Sequence, residues 1–282
     1  MTTARLARAT TAVLGTLALL TACSQGGTDD TKTVTVVAST SLWGDLAQAV
    51  VAGHDGVTVS SVISGTQDDP HEYEPSARDL ASVRDADIAV ANGAGYDTWF
   101  SEAAGDDTEL VSALPADDDG TNPHVWFDLD TTSHLADHLA VALHARDDAI
   151  PDRATEVTRR IDELKTRAAQ LPAGAALLTE PVAADLIEGT PLRNVTPEGY
   201  AHATLAEAEP SAADIDAARR LIEDGTVTVL VTNRQSESPA AAQLTKAAEA
   251  RGVRIVNVNE TPDEGQDYFG YVGAVLDGLA GR

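Results

Sequence analysis

Short β-branched or apolar runs alternate with amphipathic stretches along almost the whole chain, and this alternation sets the first expectation. Residues 33–38 and 57–63 are β-branched runs of strand length, and 87–91 is a shorter apolar run. Each is followed by a helical pattern, at 42–51, 77–84 and 96–103, because apolar positions there recur at three- and four-residue spacing. Ser76, three residues before Asp79, has the form of a capping box and fixes one helix start. Residues 109–113 form a fourth strand candidate, and 131–144 read as a helix. The second half repeats the theme. Strands are expected at 175–179, 227–232 and 253–258, with a weaker candidate at 192–195, and helices at 212–223, 239–250 and 268–279. Ser238 as N-cap, Pro239 at the first helical position and Gly252 past the end delimit one of these helices. Between the halves, residues 151–170 are highly charged, with no Gly or Pro in their interior. They fit a single helix of about 30 Å. The expected fold class is α/β: two lobes with central sheets flanked by helices, joined by a long rigid backbone helix.

The N-terminus adds a location. Arg5 and Arg8 precede a mostly apolar stretch from Ala9 to Ala22 that ends Leu19-Leu20-Thr21-Ala22-Cys23. A positive start, a short apolar run and small residues before a cut site make a secretory signal, and the run is too short for a comfortable membrane span. The ending resembles the bacterial lipobox, in which the cysteine is lipidated and becomes the first mature residue. Cys23 is the only cysteine, which excludes an intrachain disulfide. The expected organisation is therefore a signal peptide over 1–22, a lipidated tether over 23–32, an N-terminal lobe over 33–148, a linking helix over 149–171 and a C-terminal lobe over 172–282.

Charge narrows the partners. The chain holds 19 basic and 45 acidic residues, a net −26, and loss of the leader with Arg5 and Arg8 makes the mature chain −28. Such a surface repels nucleic acid and anionic lipid and draws cations in, although adaptation to high salt produces the same composition.

Two loops carry the candidate chemistry. Asp69-Pro70-His71-Glu72-Tyr73-Glu74-Pro75 and Asn122-Pro123-His124-Val125-Trp126 each place a histidine directly behind a proline. Proline fixes its own φ and biases the residue before it to extended geometry, so each loop is stiffened just ahead of its imidazole. A ligand held in this way loses little entropy when it binds a metal. The spacing of the two histidines fits no short-range metal motif. Other candidates read as bland. His134, His138 and His144 fit the surface of a helix, since no Glu stands between them as in a zinc-hydrolase motif. Asp117-Asp118-Asp119-Gly120 lacks the alternating ligands of a calcium loop. Trp43, Trp126 and Tyr73 fit either a site wall or core packing, and Asn233 and Gln235 fit a role in orienting ligands.

Taken in order, the lipobox, Ser39-Thr40-Ser41-Leu42-Trp43, the two Pro-His loops, Thr179-Glu180-Pro181, Asn233-Arg234-Gln235 and Asn259-Glu260-Thr261-Pro262 resemble the metal-receptor lipoproteins of bacterial ABC importers for manganese, zinc or iron(II). The resemblance spans the mature chain. It implies one divalent transition-metal ion, manganese or zinc and also iron(II), carried as cargo in the interlobe cleft by two ligands from each lobe. On this sequence those positions are His71, His124, Glu180 and Glu260, with Asp263 the nearest alternative to the last. Glu180 occupies a place where zinc-type members usually have a third His and manganese-type members a Glu. Both acids also fall at the C-terminal ends of expected strands, where open α/β sheets place ligand-binding groups. The implied partners are an ABC permease and its ATPase subunit. The implied protein is a monomer on the outer face of the cell membrane, anchored through Cys23, with no nucleic-acid partner. Two other classes use similar ligands: a secreted metal-dependent hydrolase, which keeps an open metal position for water, and a metal-dependent adhesin. No His-Glu-x-x-His or Gly-x-Ser-x-Gly element is present for the first.

Overall fold

The computed structural model describes residues 33–52, 54–67, 69–115 and 122–282. The leader, Cys23, the tether and the 117–120 acidic run lie outside the described residues. In chain order the elements of the first half are β1 Val34–Thr40, α1 Ser41–Val51, β2 Val57–Ile63, α2 Ala77–Arg84, β3 Ile88–Ala91, α3 Thr98–Ala103, β4 Glu109–Ser112 and α4 Leu129–Arg146. The helix α5, Ala154–Ala169, leads into β5 Gly174–Leu178, α6 Ala184–Ile187, β6 Leu192–Asn194 and α7 Glu198–Leu205. The chain closes with α8 Ala212–Glu223, β7 Val229–Thr232, α9 Pro239–Arg251, β8 Arg254–Asn257 and α10 Tyr268–Ala280.

Two four-stranded sheets have the same order, β2-β1-β3-β4 and β6-β5-β7-β8. All pairings are parallel, with Val36 opposite both Val59 and Ile88 in the first sheet and Leu177 opposite Leu230 in the second. β1 and β3 are buried almost throughout, whereas the edge strand β2 alternates. Central strands of a parallel sheet are covered on both faces and must be apolar throughout, and edge strands need not be.

The expected elements are present, with shifted ends that have local causes. Asp128 accepts hydrogen bonds from the amides of Asp130 and Thr131, so α4 begins two residues before the apolar pattern suggests. Asp152 accepts from the Ala154 amide, which starts α5 later. At 16 residues α5 is about 24 Å long. It does not stand alone, since α4 and α10 pack along it. Arg167 on α5 donates to the Gly273 carbonyl and the Asp277 carboxylate on α10, at 2.8 and 2.9 Å. Tyr268, at the start of α10, donates to the Trp126 carbonyl at 2.7 Å. One apolar cluster runs through both halves, from Trp43, Trp126 and Leu139 through Ile161 to Val231 and Leu276. Helices α6 and α7 were not anticipated, because both are short and α7 lacks a clear apolar stripe.

One loop of the first lobe is built around a buried acid. The Asp97 carboxylate accepts from the amides of Asn92 and Gly93, at 2.7 and 3.0 Å, and the intervening chain turns through Gly93 at φ 81° and Ala94 at φ 49°. This turn delays α3 by two residues relative to the sequence pattern and projects Tyr96 from the carboxyl end of β3. A Cβ at Gly93 would lie 2.0 Å from the Leu114 carbonyl oxygen. Gly93→Ala should therefore destabilise the protein by about 3 kcal/mol, read as a lower urea midpoint at unchanged slope; a wild-type midpoint would show that the turn tolerates a side chain.

Candidate metal centre

Parallel sheets of this order present ligand-binding loops at the carboxyl ends of their strands, and here the two sets of loops meet. His71 follows β2 on a 3-10 turn, Pro70–Glu72, and Asp69 caps it by accepting from the His71 amide at 3.0 Å. His124 precedes another such turn, Val125–Phe127. Tyr96, Glu180, Asn233 and Glu260 follow β3, β5, β7 and β8 in turn. Both Pro-His segments are thus short turns pinned at their first residues, as the prolines suggested.

His71, His124 and Glu260 converge with ligand atoms within 4.8 Å of one another. His71 Nε2 is 3.1 Å from Glu260 Oε2, and His124 Nε2 is 3.9 Å from Oε1. The imidazole rings meet edge to face at 5.6 Å. Trp126 packs edge-on against both His124 and Tyr96 and so walls the site. Trp43 lies in the core, and Tyr73 packs on Trp99 and donates to Asp79.

Glu260 is only 1 % exposed, so its charge must be met inside the protein. Tyr96 Oη donates to Oε2 at 2.9 Å, and Asn233 Nδ2 donates to Oε1 at 3.2 Å. Burial would push this carboxyl up, but the bond and charge of His71, with His124 and Tyr96, hold it below the usual range. Burial alone would likewise depress His71. Its hydrogen bond to Glu260, with the charges of Glu260, Glu207 and Asp69, instead raises it to about 9. His124 behaves in the opposite way. Burial dominates and lowers it to about 4 despite Glu260. The two imidazoles are thus pushed in opposite directions, His71 towards its charged form and His124 towards its neutral one. Asn122 fixes the neutral one, because its carbonyl oxygen lies 2.7 Å from His124 Nδ1 and so accepts from an Nδ1–H. The Nε2 lone pair is left facing the cleft.

Glu180 lies on the wall of the same cavity, of about 270 Å3, together with His71, His124 and Glu260. It is not in the tight three-residue cluster. Its Oε2 accepts from Ser236 at 2.7 Å and from the same Asn233 amide that reaches Glu260, at 2.9 Å. Burial raises its pKa, with the charges of Glu260 and Asp69 adding to the effect and those two hydrogen bonds opposing it. Asp263 faces a different cavity. Gln235 positions Glu260 through the backbone: its Oε1 accepts from the amides of Glu260 and Thr261, at 2.6 and 3.2 Å. His134, His138 and His144 are exposed on α4. Tyr96 was missed by sequence reasoning, which placed it inside a helix; the Asn92-Gly93-Ala94-Gly95 turn before it was the available signal. Glu207, whose Oε1 lies 2.9 Å from His71 Nδ1, gave no signal of a ligand type.

Two α/β lobes with imidazoles and a buried carboxylate converging between them define a two-lobed binding protein with a candidate divalent-metal site. The family described as ZnuA, zinc-uptake complex component A, periplasmic, matches residues 36–281, and the chain belongs to it. It is 29 % identical over 138 residues to the manganese-binding lipoprotein MntA of Halalkalibacterium halodurans, covering 46 % of this chain and 44 % of that protein. The chain spans about half the length of the curated relatives it matches. Its fold is similar to that of the periplasmic zinc binding protein TroA from Treponema pallidum, with TM-score 0.67 and 20 % identity over 88 % of this chain and 98 % of that one. It is also similar to the laminin binding protein Lmb of Streptococcus agalactiae, described as having adhesin and metal transporting activity, with TM-score 0.69 and 17 % identity over 87 % of this chain and 99 % of that one.

The sign of one pH effect follows from His71. Its folded pKa of about 9 lies above the ordinary 6.5, so the stability from its pairing is fully present below about pH 6.5 and is lost as pH rises through about 9. Urea titration of chelator-treated protein between pH 6 and 10 should show an alkaline decline that is shallower in His71→Gln. Parallel profiles for the two proteins would mean that the pair contributes nothing.

Proposed function

We propose that this protein is the extracytoplasmic receptor of an ABC importer, capturing a divalent transition metal and handing it to a membrane permease driven by an ATPase subunit. The observation that carries the reading is the convergence of His71, His124 and Glu260 from opposite lobes on one buried point. In this reading the cargo is manganese, zinc or iron(II), and Glu180 supplies the fourth ligand by turning from Ser236 and Asn233 towards the ion. A site filled by four protein ligands leaves no open position for an activated water, which favours a receptor over a hydrolase. Among the described residues no helix is long and apolar enough to cross a membrane. Membrane attachment is assigned to Cys23, lipidated after removal of residues 1–22 and joined to the lobes by a tether of residues 23–32. The named lipoprotein among the relatives supports this placement on the outer face of the membrane. The strong negative charge supports cation capture and argues against a nucleic-acid partner. The protein acts as a monomer in this scheme, since both lobes of the site come from one chain.

Metal that binds only the folded state stabilises it by about 4 kcal/mol at a thousandfold excess over Kd. The melting temperature of the wild type should rise clearly with manganese(II) or zinc(II), and far less in His71→Ala and His124→Ala. Equal shifts in all three would remove these histidines from the site.

Two imidazoles and two carboxylates form a mixed nitrogen and oxygen site. Such sites suit manganese and iron(II) better than a third imidazole does, while three histidines favour compact tetrahedral zinc. Glu180→His should therefore move the zinc-to-manganese affinity ratio towards zinc, on the order of tenfold, in competitive titration. An unchanged ratio would break the link between this position and metal preference.

A further inference from the structure

Three helices of the second lobe end in the same pair of hydrogen bonds, and one of them has an unusual residue at the turn. At the end of α9 the Gly252 amide bonds to the Glu249 carbonyl and the Val253 amide to Ala248. At the end of α10 the Gly281 amide bonds to Gly278 and the Arg282 amide to Asp277. Both turns need a left-handed residue, and glycine provides it, at φ 65° and 77°. The end of α7 is built identically: the Glu207 amide bonds to Thr204 and the Ala208 amide to Ala203. Here the left-handed position, φ 52°, is held by Glu207. A glutamate at that position costs conformational energy that glycine would avoid. Strain of this kind persists where the side chain has a use.

The side chain of Glu207 leaves the second lobe and reaches the first. Its Oε1 lies 2.9 Å from Nδ1 of His71, on the side of the ring opposite the nitrogen that faces Glu260. A carboxylate can only accept, so this contact places a proton on Nδ1 and dedicates Nε2 to the cleft. His124 receives the same treatment from Asn122, whose amide nitrogen also crosses to the second lobe, donating to the Pro181 carbonyl and Asp185. Each histidine thus has its outer nitrogen tied to a group that touches the opposite lobe.

The geometry points to Glu207 as a positioning residue that orients His71 for metal and, by spanning the cleft, makes retention of the ion depend on lobe closure. This deepens the receptor reading and rests on it. Glu207 is 68 % exposed, so an isolated ion pair there would contribute little to stability. Its effect is expected in how long the metal is held. Partners of this type typically change metal affinity by about 10–100-fold, and exposure places Glu207 at the low end.

The test is a chelator chase of manganese(II) from the full-length protein, with a parallel thermal melt of the metal-free form. Glu207→Gly should release manganese about tenfold faster than wild type. Its metal-free form should melt no lower, because relief of the left-handed backbone offsets the lost contact. Glu207→Gln, which keeps an accepting oxygen, should retain most of the wild-type hold. Release at the wild-type rate from Glu207→Gly would overturn the inference. So would equal release from the Gln and Gly variants, which would leave charge rather than orientation as the cause. A metal-free Glu207→Gly that melts well below wild type would mark the residue as structural and overturn it too. His71→Ala separates the two levels: if it retains manganese as wild type does, the site assignment itself fails, whereas loss of retention there with normal Glu207 variants sinks only the positioning role.

Discussion

Burying the carboxylate of Glu260 is the constraint around which the centre of this molecule is organised. A charge taken out of water costs several kcal/mol unless it is paired and hydrogen-bonded, and Glu260 recruits partners from both lobes. Tyr96 and His71 come from the first, Asn233 and Gln235 from the second. The cleft is closed by the same bonds that neutralise the acid. Thr261, the next residue, adds another crossing by donating to the Gly65 carbonyl at 2.8 Å. The His71 ring lies directly beside the acid, with Nε2 3.1 Å from Oε2.

The rest of the fold keeps those loops in register. The two sheets share one strand order and turn their carboxyl ends towards a common cleft, so six strand ends can each supply one group. Helix α5 and the final helix α10 are tied together by Arg167. Tyr268 anchors α10 to the carbonyl of Trp126, two residues beyond His124. A single apolar cluster passing through both halves resists large separation of the lobes, since interiors packed at crystal-like density do not deform continuously.

Much of the architecture was legible in the chain because it is encoded locally. The period of the apolar residues marked all eight strands, and Ser76, Ser238 and Gly252 marked helix ends whose caps are present. Where the local code was incomplete, reading faltered. Nothing in the periodicity of residues 198–205 declared α7, and the helix start at Thr98 was displaced by the buried Asp97 turn. The two Pro-His turns declared themselves through backbone stiffness alone. Glu180 and Glu260 looked like any other acids at strand ends among 45 until the family resemblance singled them out.

The sequence by itself determined the succession of strands, the fold class and which histidines stand on rigid turns, because φ restriction, capping and hydrophobic period act over a few residues. Only the tertiary structure decided that Glu260 rather than Asp263 enters the cluster with both imidazoles, that Tyr96 and Asn233 serve its charge, and that Glu207 crosses to the back of His71. Those contacts join residues 27 to 189 positions apart. Their existence depends on how two sheets face each other, a relation no short stretch of chain contains.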